Sequence, residues 1–327
     1  MERRITLSIG ILFLLTVLPV GGKIRAAEDY PTRPINFIVP LEPGAAGDIL
    51  SRRLIQKASA VLGTPIVVVN KPGAGSSIGY REIHASKPDG YTIGMAPVTI
   101  VTNKLQGLMP LDYHDFSLFG TFYTVYLSVF GATKTKRPFE KIEEVLSFAK
   151  SHPGEVSLAS GAVGQNDWVA AMAFIAGTGI TLNVIPQAGA GAVAITQVAG
   201  GHADLAITPL VAARSQVEAG NVRFLAVLGP HRFSKYPSVP TLKELGYNIG
   251  WESPGNVLGP PKIPRDIADK LAKAFKEAAT DPDYQKFLVE QFVSPLYLPP
   301  EKIVSDLDEK RKLARGIMDK AGVLKEK

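Results

Sequence analysis

The sequence predicts an α/β protein of two lobes with a ligand cleft between them. Short β-branched runs alternate with helical repeats, glycine-bearing loops lie between strands and the helices that follow, and the same plan restarts beyond residue 138. The length agrees, since 327 residues are enough for two domains of about 150 each. A hydrophobic content of 46% with no cysteine excludes a disordered chain, a collagen-like repeat and a disulfide scaffold.

Ile35 to Val39 is apolar and bounded by Pro34 and Pro40, so it reads as a buried strand. After the loop Leu41 to Gly47, the residues Leu50, Leu54, Ala58 and Val61 recur at helical spacing, with Asp48 as N-cap and Gly63 as stop. A second unit has strand Ile66 to Val69, loop Asn70 to Ser77 and helix Ile78 to Ser86, and Tyr91 to Met95 supplies a third strand. This alternation predicts a mostly parallel sheet. A strand around Tyr123 to Phe130 leads into the polar stretch Thr133 to Pro138, which reads as a solvated crossing between lobes.

Beyond the crossing come helix Ile142 to Ser151, strand Val156 to Ala159, loop Ser160 to Asn166 and helix Asp167 to Ala176. Strand Thr181 to Ile185, loop Pro186 to Ala190, helix Gly191 to Ala199, strand Asp204 to Ile207, helix Leu210 to Ala219 and strand Phe224 to Leu228 continue the plan. A passage with Pro237, Pro240, Pro254, Pro260, Pro261 and Pro264 precedes two helices, one with Ile267, Leu271, Phe275 and Ala278 on a single face. Residues 28–131 with 250–327 are therefore expected to form lobe 1, and residues 132–249 lobe 2.

The formal net charge of +6 is unevenly placed. Arg3, Arg4, Lys23 and Arg25 against Glu2 put +3 into residues 1–27, which leaves +3 for the rest. That is too dilute for a nucleic-acid surface. Residues 1–27 themselves read as a secretory signal peptide: a basic start, an apolar run from Ile9 to Val20, and a cut near Ala26 or Ala27. The run falls well short of the ~20 residues that span a bilayer. An exported, periplasmic and monomeric protein is expected.

Catalytic chemistry is sparse. His84, His114, His152, His202 and His231 show no metal-ligand spacing, so neither a metal nor a cofactor is expected, and no residue is assigned a catalytic role. One enzyme motif matches in form: Gly75-Ser76-Ser77-Ile78-Gly79 is G-x-S-x-G, which makes a secreted serine hydrolase using Ser77 the rival reading. Six residues, Lys71 to Ser76, separate this serine from Asn70, where an elbow would turn sharply. What the glycine loops can do is offer backbone N–H groups to an anion. The loops Pro43 to Gly47, Gly73 to Ser77 and Ser160 to Gly164 each precede a helix, where the macrodipole favours negative charge.

Several motifs in order resemble one family. Tyr30-Pro31-Thr32-Arg33-Pro34-Ile35, Val39-Pro40-Leu41-Glu42-Pro43-Gly44-Ala45-Ala46-Gly47-Asp48, Asn70-Lys71-Pro72-Gly73-Ala74-Gly75 and Lys87-Pro88-Asp89-Gly90-Tyr91-Thr92 are similar to the Bug, or TctC-like, extracytoplasmic solute receptors of tripartite tricarboxylate transporters. The resemblance continues through Ala159-Ser160-Gly161, Gly200 to Leu205, Leu225 to Val227 and Pro237 to Thr241.

It implies a type II periplasmic-binding-protein-like fold, two α/β lobes on a two-strand hinge. It also implies a small organic acid or amino acid held largely by backbone groups and ordered water, and delivery to membrane permease subunits; a receptor serving a signalling partner is a further alternative. Carried over, Gly44, Ala45, Ala46 and Asp48 would form the first anion loop and Ser160, Gly161, Gly164, Gln165 and Asn166 the facing one. Gly75, Ser76, Pro97, Val98, Thr99, Gln187, Ala188, Gly189 and Thr208 would line the remainder. The sequence departs from the family pattern at Glu42, Ala45, Gln187 and Thr208, and at Gln165 to Trp168. If Glu42 faces the cleft it would repel a second carboxylate, so an amino acid, a monocarboxylate or an aromatic acid is expected on equal terms with the family's small dicarboxylates.

Overall fold

The fold is that of a computed structural model that describes residues 30–187 and 191–326. The signal-peptide segment 1–27 and the site candidates Ala188 and Gly189 lie outside the described residues. The first half runs β1 (Ile35–Val39), α1 (Ala46–Leu62), β2 (Ile66–Asn70), α2 (Ser77–Ala85), β3 (Thr92–Ala96) and α3 (Thr99–Leu105). β1 is central, pairing in parallel with β2 on one side and β3 on the other. Such a strand is covered on both faces, which is why Phe37, Ile38 and Val39 are buried in succession, while Asn36 near the start of the strand is exposed.

β4 (Ser117–Ala132) then spans 16 residues and belongs to both halves of the sheet. From Ser117 to Tyr126 it pairs with β9 (Glu252–Gly259), and from Leu127 onward with β7 (Leu205–Pro209) and β8 (Val222–Val227). The second half comprises α4 (Ile142–Ser151), β5 (Ser157–Ser160), α5 (Asn166–Thr178), β6 (Asn183–Pro186), α6 (Gly191–Ala199), β7, α7 (Leu210–Glu218) and β8. After β9 come α8 (Arg265–Ala279), α9 (Pro282–Glu290) and α10 (Pro300–Lys320). The path through the sheet is β2-β1-β3-β9-β4-β7-β5-β6, with β8 on β4.

The sheet is thus mixed rather than mostly parallel. β1, β2 and β3 are parallel, as are β5, β6 and β7, while β4 and β9 run antiparallel to their neighbours. The direction of a strand is set by where the chain re-enters the sheet, and an apolar run carries no sign of it. The stretch Thr133 to Pro138 lies beside second-half elements, with Arg137 paired to Glu155 and stacked 4.1 Å from the Phe148 ring, and β4 before it changes partners at Tyr126/Leu127.

Three elements were not predicted: α3, β9 and a third C-terminal helix. β9 reads Glu-Ser-Pro-Gly-Asn-Val-Leu-Gly, and its proline and glycines argue against a strand. It is tolerated because the β4–β9 ladder shifts register twice, at Leu118/Gly120 and Thr121/Tyr123. The face of α8 is as expected: Ile267, Leu271, Phe275 and Ala278 are buried, and Phe275 meets Phe37 of β1 with ring centroids 6.0 Å apart.

Candidate functional site

Helix α1 begins earlier than the N-cap assignment to Asp48 requires. Ala45 is the N-cap and Asp48 is the third helical residue, so it caps from inside: its Oδ2 accepts the N–H of Gly44 at 3.0 Å. Gly44 allows this because its φ of +82° turns the loop back over the helix. Asp48 also accepts from Arg52 Nε at 3.0 Å and from Asn70 Nδ2 at 2.9 Å, which ties the first loop to the end of β2. Burial pushes the Asp48 carboxyl up, but Arg52, the Gly44 N–H and Asn70 outweigh it and hold it below its ordinary value. Glu42 in the same loop is exposed.

The second loop packs beside the first, with α2 resting on Pro40 at Gly79. Three successive residues, Ala74, Gly75 and Ser76, have φ of +46°, +64° and +79°. Ser76 is buried and bonds to the Tyr80 hydroxyl, which also meets Thr99 Oγ1 at 2.8 Å and the Pro97 carbonyl at 3.3 Å. Asn103 Nδ2 donates to the Gly75 carbonyl at 2.7 Å. Val98 is wholly buried in the core, so its side chain faces inward. Ser77 is also fully buried, and its hydroxyl meets no histidine or other hydrogen-bond partner among the described residues. Its φ and ψ of −65° and −23° are ordinary helix values, without the strain of a nucleophile elbow.

From the second half, the loop after β5 faces this pair. Ser160 is buried and bonds Gly161, and its carbonyl accepts the Gln187 N–H at 3.0 Å. Gln165 is the N-cap of α5, and its amide reaches to within 2.8 Å of where a Cβ on Gly75 would stand. Two hydrogen bonds tie the halves together: Gln106, at the end of α3, donates to the Gly164 carbonyl at 2.9 Å, and Trp251 Nε1, just before β9, donates to Asn166 Oδ1 at 2.8 Å. Thr208, the penultimate residue of β7, is fully buried and donates to Asp167 Oδ2 at 3.1 Å. Gly191 opens α6 directly over this bond. A Cβ there would stand 1.6 Å from Thr208 Oγ1 and 2.6 Å from Asp167 Oδ2. Gly191→Ala should therefore cost about 1–3 kcal/mol by overpacking, read as a lower urea midpoint.

The structure packs the first loop beside the second through Pro40 and Gly79, and brings the third to the second through Gln165 beside Gly75 and Gln106 on Gly164; it also adds residues that the sequence did not single out. Tyr123 is 4% exposed, and its hydroxyl lies 3.3 Å from where a Cβ on Gly47 would be, at the first turn of α1, with no hydrogen bond among the described residues. Asn103, Gln106, Asp167 and Trp251 are the others. Only Asp167, lying where the sequence departs from its family, carried a signal in the sequence.

A periplasmic-binding-protein-like α/β fold with a curled sheet, shared with solved solute-binding proteins, defines a solute-binding class of protein. The chain matches the tripartite tricarboxylate transporter family receptor over residues 50–323 and belongs to that family. It is 31% identical to the BugT protein of Bordetella pertussis over 285 residues, 85% of this chain and 86% of that one. A TctC solute-binding protein from Polaromonas superposes with a TM-score of 0.75 at 27% identity, covering 89% of this chain and 99% of the other. An R. palustris protein with adipate superposes at 0.80 with 24% identity, over 90% and 99%, which shows the shared fold. Members of the family are periplasmic solute-binding receptors.

Proposed function

We propose that the protein is an exported periplasmic receptor that captures a small carboxylate-bearing solute between two lobes, residues 28–131 with 250–327 and residues 132–249, and delivers it to the membrane subunits of a tripartite tricarboxylate-type transporter. Residues 1–27 serve as the signal peptide, and the receptor works as a monomer. The observation that carries this reading is the meeting of the helix-initiating loops from both halves, bridged by the Gln106–Gly164 and Trp251–Asn166 hydrogen bonds. The N-terminal turns of α1 and α5 would offer an anion site without an arginine clamp. Charge-assisted hydrogen bonds contribute about 1.5–3 kcal/mol each, so a few of them support micromolar binding. The strands β4 and β9 act as the hinge.

The test is a thermal-shift panel on protein unfolded and refolded to remove co-purified ligand, using mono-, di- and tricarboxylates, amino acids and aromatic acids. At 100 times its dissociation constant a true ligand adds about 2.7 kcal/mol, a shift of several degrees. A panel in which no carboxylate shifts the transition overturns the reading. Gln106→Ala removes one bond that holds the halves together, worth about 1 kcal/mol. The bound acid should then dissociate about fivefold faster in stopped-flow measurements, with the fold unchanged by circular dichroism.

A further inference from the structure

Asp167 is a buried carboxylate without a counter-charge. Its side chain is the second residue of α5, the residue is 7% exposed, and its partners are a hydroxyl, Thr208 at 3.1 Å, and an amide, Asn166 at 3.4 Å. No ion pair reaches it among the described residues. The first residue of α6 packs on the same carboxylate, so it lies against the starts of two helices, where a negative charge is favoured. Beside it, Ser128 of β4 lies directly opposite Thr208 in the ladder, fully buried, with a hydroxyl that finds no partner among the described residues. Asp48, by contrast, has Arg52, Asn70 and the Gly44 N–H around it and has no capacity left for a ligand cation.

We propose that Asp167, supported by Thr208, is a specificity-determining acceptor for a cationic nitrogen, so that this receptor selects carboxylates carrying an ammonium group at the far end over dicarboxylates. The inference rests on the solute-receptor reading and narrows its ligand class. A dicarboxylate would bring a second negative charge against a buried one, and like charges at that range disfavour binding. An ammonium supplies the counter-charge that the carboxylate lacks, while the ligand's single carboxylate goes to the loop at the start of α1, where the Tyr123 hydroxyl is free of protein partners among the described residues.

The experiment pairs ligands of equal length that differ at one end: β-alanine with succinate, 4-aminobutanoate with glutarate, 5-aminopentanoate with a six-carbon dicarboxylate. Each is titrated calorimetrically into refolded wild type and into Asp167→Asn, whose folding is checked by its melting transition. The expected result is at least a tenfold preference of the wild type for the amino acid of one or more pairs, lost or reversed in Asp167→Asn. A wild type that binds the dicarboxylates as tightly or more tightly, or that binds only other carboxylates without an ammonium, overturns the inference and leaves the receptor reading standing. So does a preference that survives Asp167→Asn. If no carboxylate of any class binds, the receptor reading falls and the inference with it.

Discussion

Asp167→Asn raises the melting temperature of the ligand-free protein by several degrees at pH 8, and the gain fades as the pH falls from about 6 to about 4. Burial pushes the Asp167 carboxyl up to about 6 from an ordinary value of 3.8, with Thr208 and Asn166 only partly offsetting it. Between those two values the folded chain holds a proton that the unfolded chain has released. Wild-type stability therefore falls as pH rises through this window, and above it the charged carboxylate costs about 3 kcal/mol. Asparagine keeps the shape and an acceptor for the Thr208 hydroxyl while removing the charge. Differential scanning calorimetry at pH 4, 6 and 8 reads the effect directly. An unchanged transition at pH 8 would mean that the charge is compensated in the folded protein. A residue that destabilises the empty receptor is expected at a place selected for binding rather than for folding.

Asp48→Ala acts with the opposite sign and loses about 2–3 kcal/mol at pH 7, seen as a lower urea midpoint with an unchanged slope. The Asp48 side chain is 3% exposed, and its removal strands the Gly44 N–H and one face of Arg52 and leaves Asn70 Nδ2 with only its bond to the Leu41 carbonyl. The figure is kept below that of a fully buried pair because the Arg52 side chain is 49% exposed and water screens part of its charge. The Asp48 carboxyl is held below its ordinary value, so its contribution is complete above pH 3.8 and is lost as pH falls through the lower folded value. A difference between wild type and variant that persists undiminished at pH 2 would show that packing, not charge, carries the effect. Two aspartates near the starts of α1 and α5 thus pull stability in opposite directions with pH.

Periodicity alone was enough to place most of the helices and strands. Leu50, Leu54 and Ala58 predict α1, and Gly63 ends it in the left-handed conformation at φ +64°. Ile142 to Ser151 and Ile267 to Ala278 lie on the expected helices, because one apolar face every 3.6 residues is a local signal that tertiary packing reinforces. The glycine loops were legible too, since each sits between a strand and a helix start. β9 was not, because Pro254 and two glycines look like a break until the bulges of β4 make room for them. α3 was not, because its polar residues Thr99, Thr102 and Asn103 are buried along with its apolar ones, so no hydrophobic stripe sets it apart in sequence.

The site divides the same way. Chain order and loop composition determined the fold class and the three loops that could hold an anion, since these depend on neighbours in sequence. Which side chains close around them did not follow from sequence, because Tyr123, Asn103, Gln106 and Trp251 reach the loops from elements 25 or more residues distant, through strand register and helix packing. The two aspartates divide between these levels. Arg52 stands one helical turn after Asp48 and is a local partner, whereas Asn70 beside Asp48 and Thr208 beside Asp167 arrive from distant elements, because the charge a carboxylate can keep is set by everything the chain brings within hydrogen-bonding distance of it.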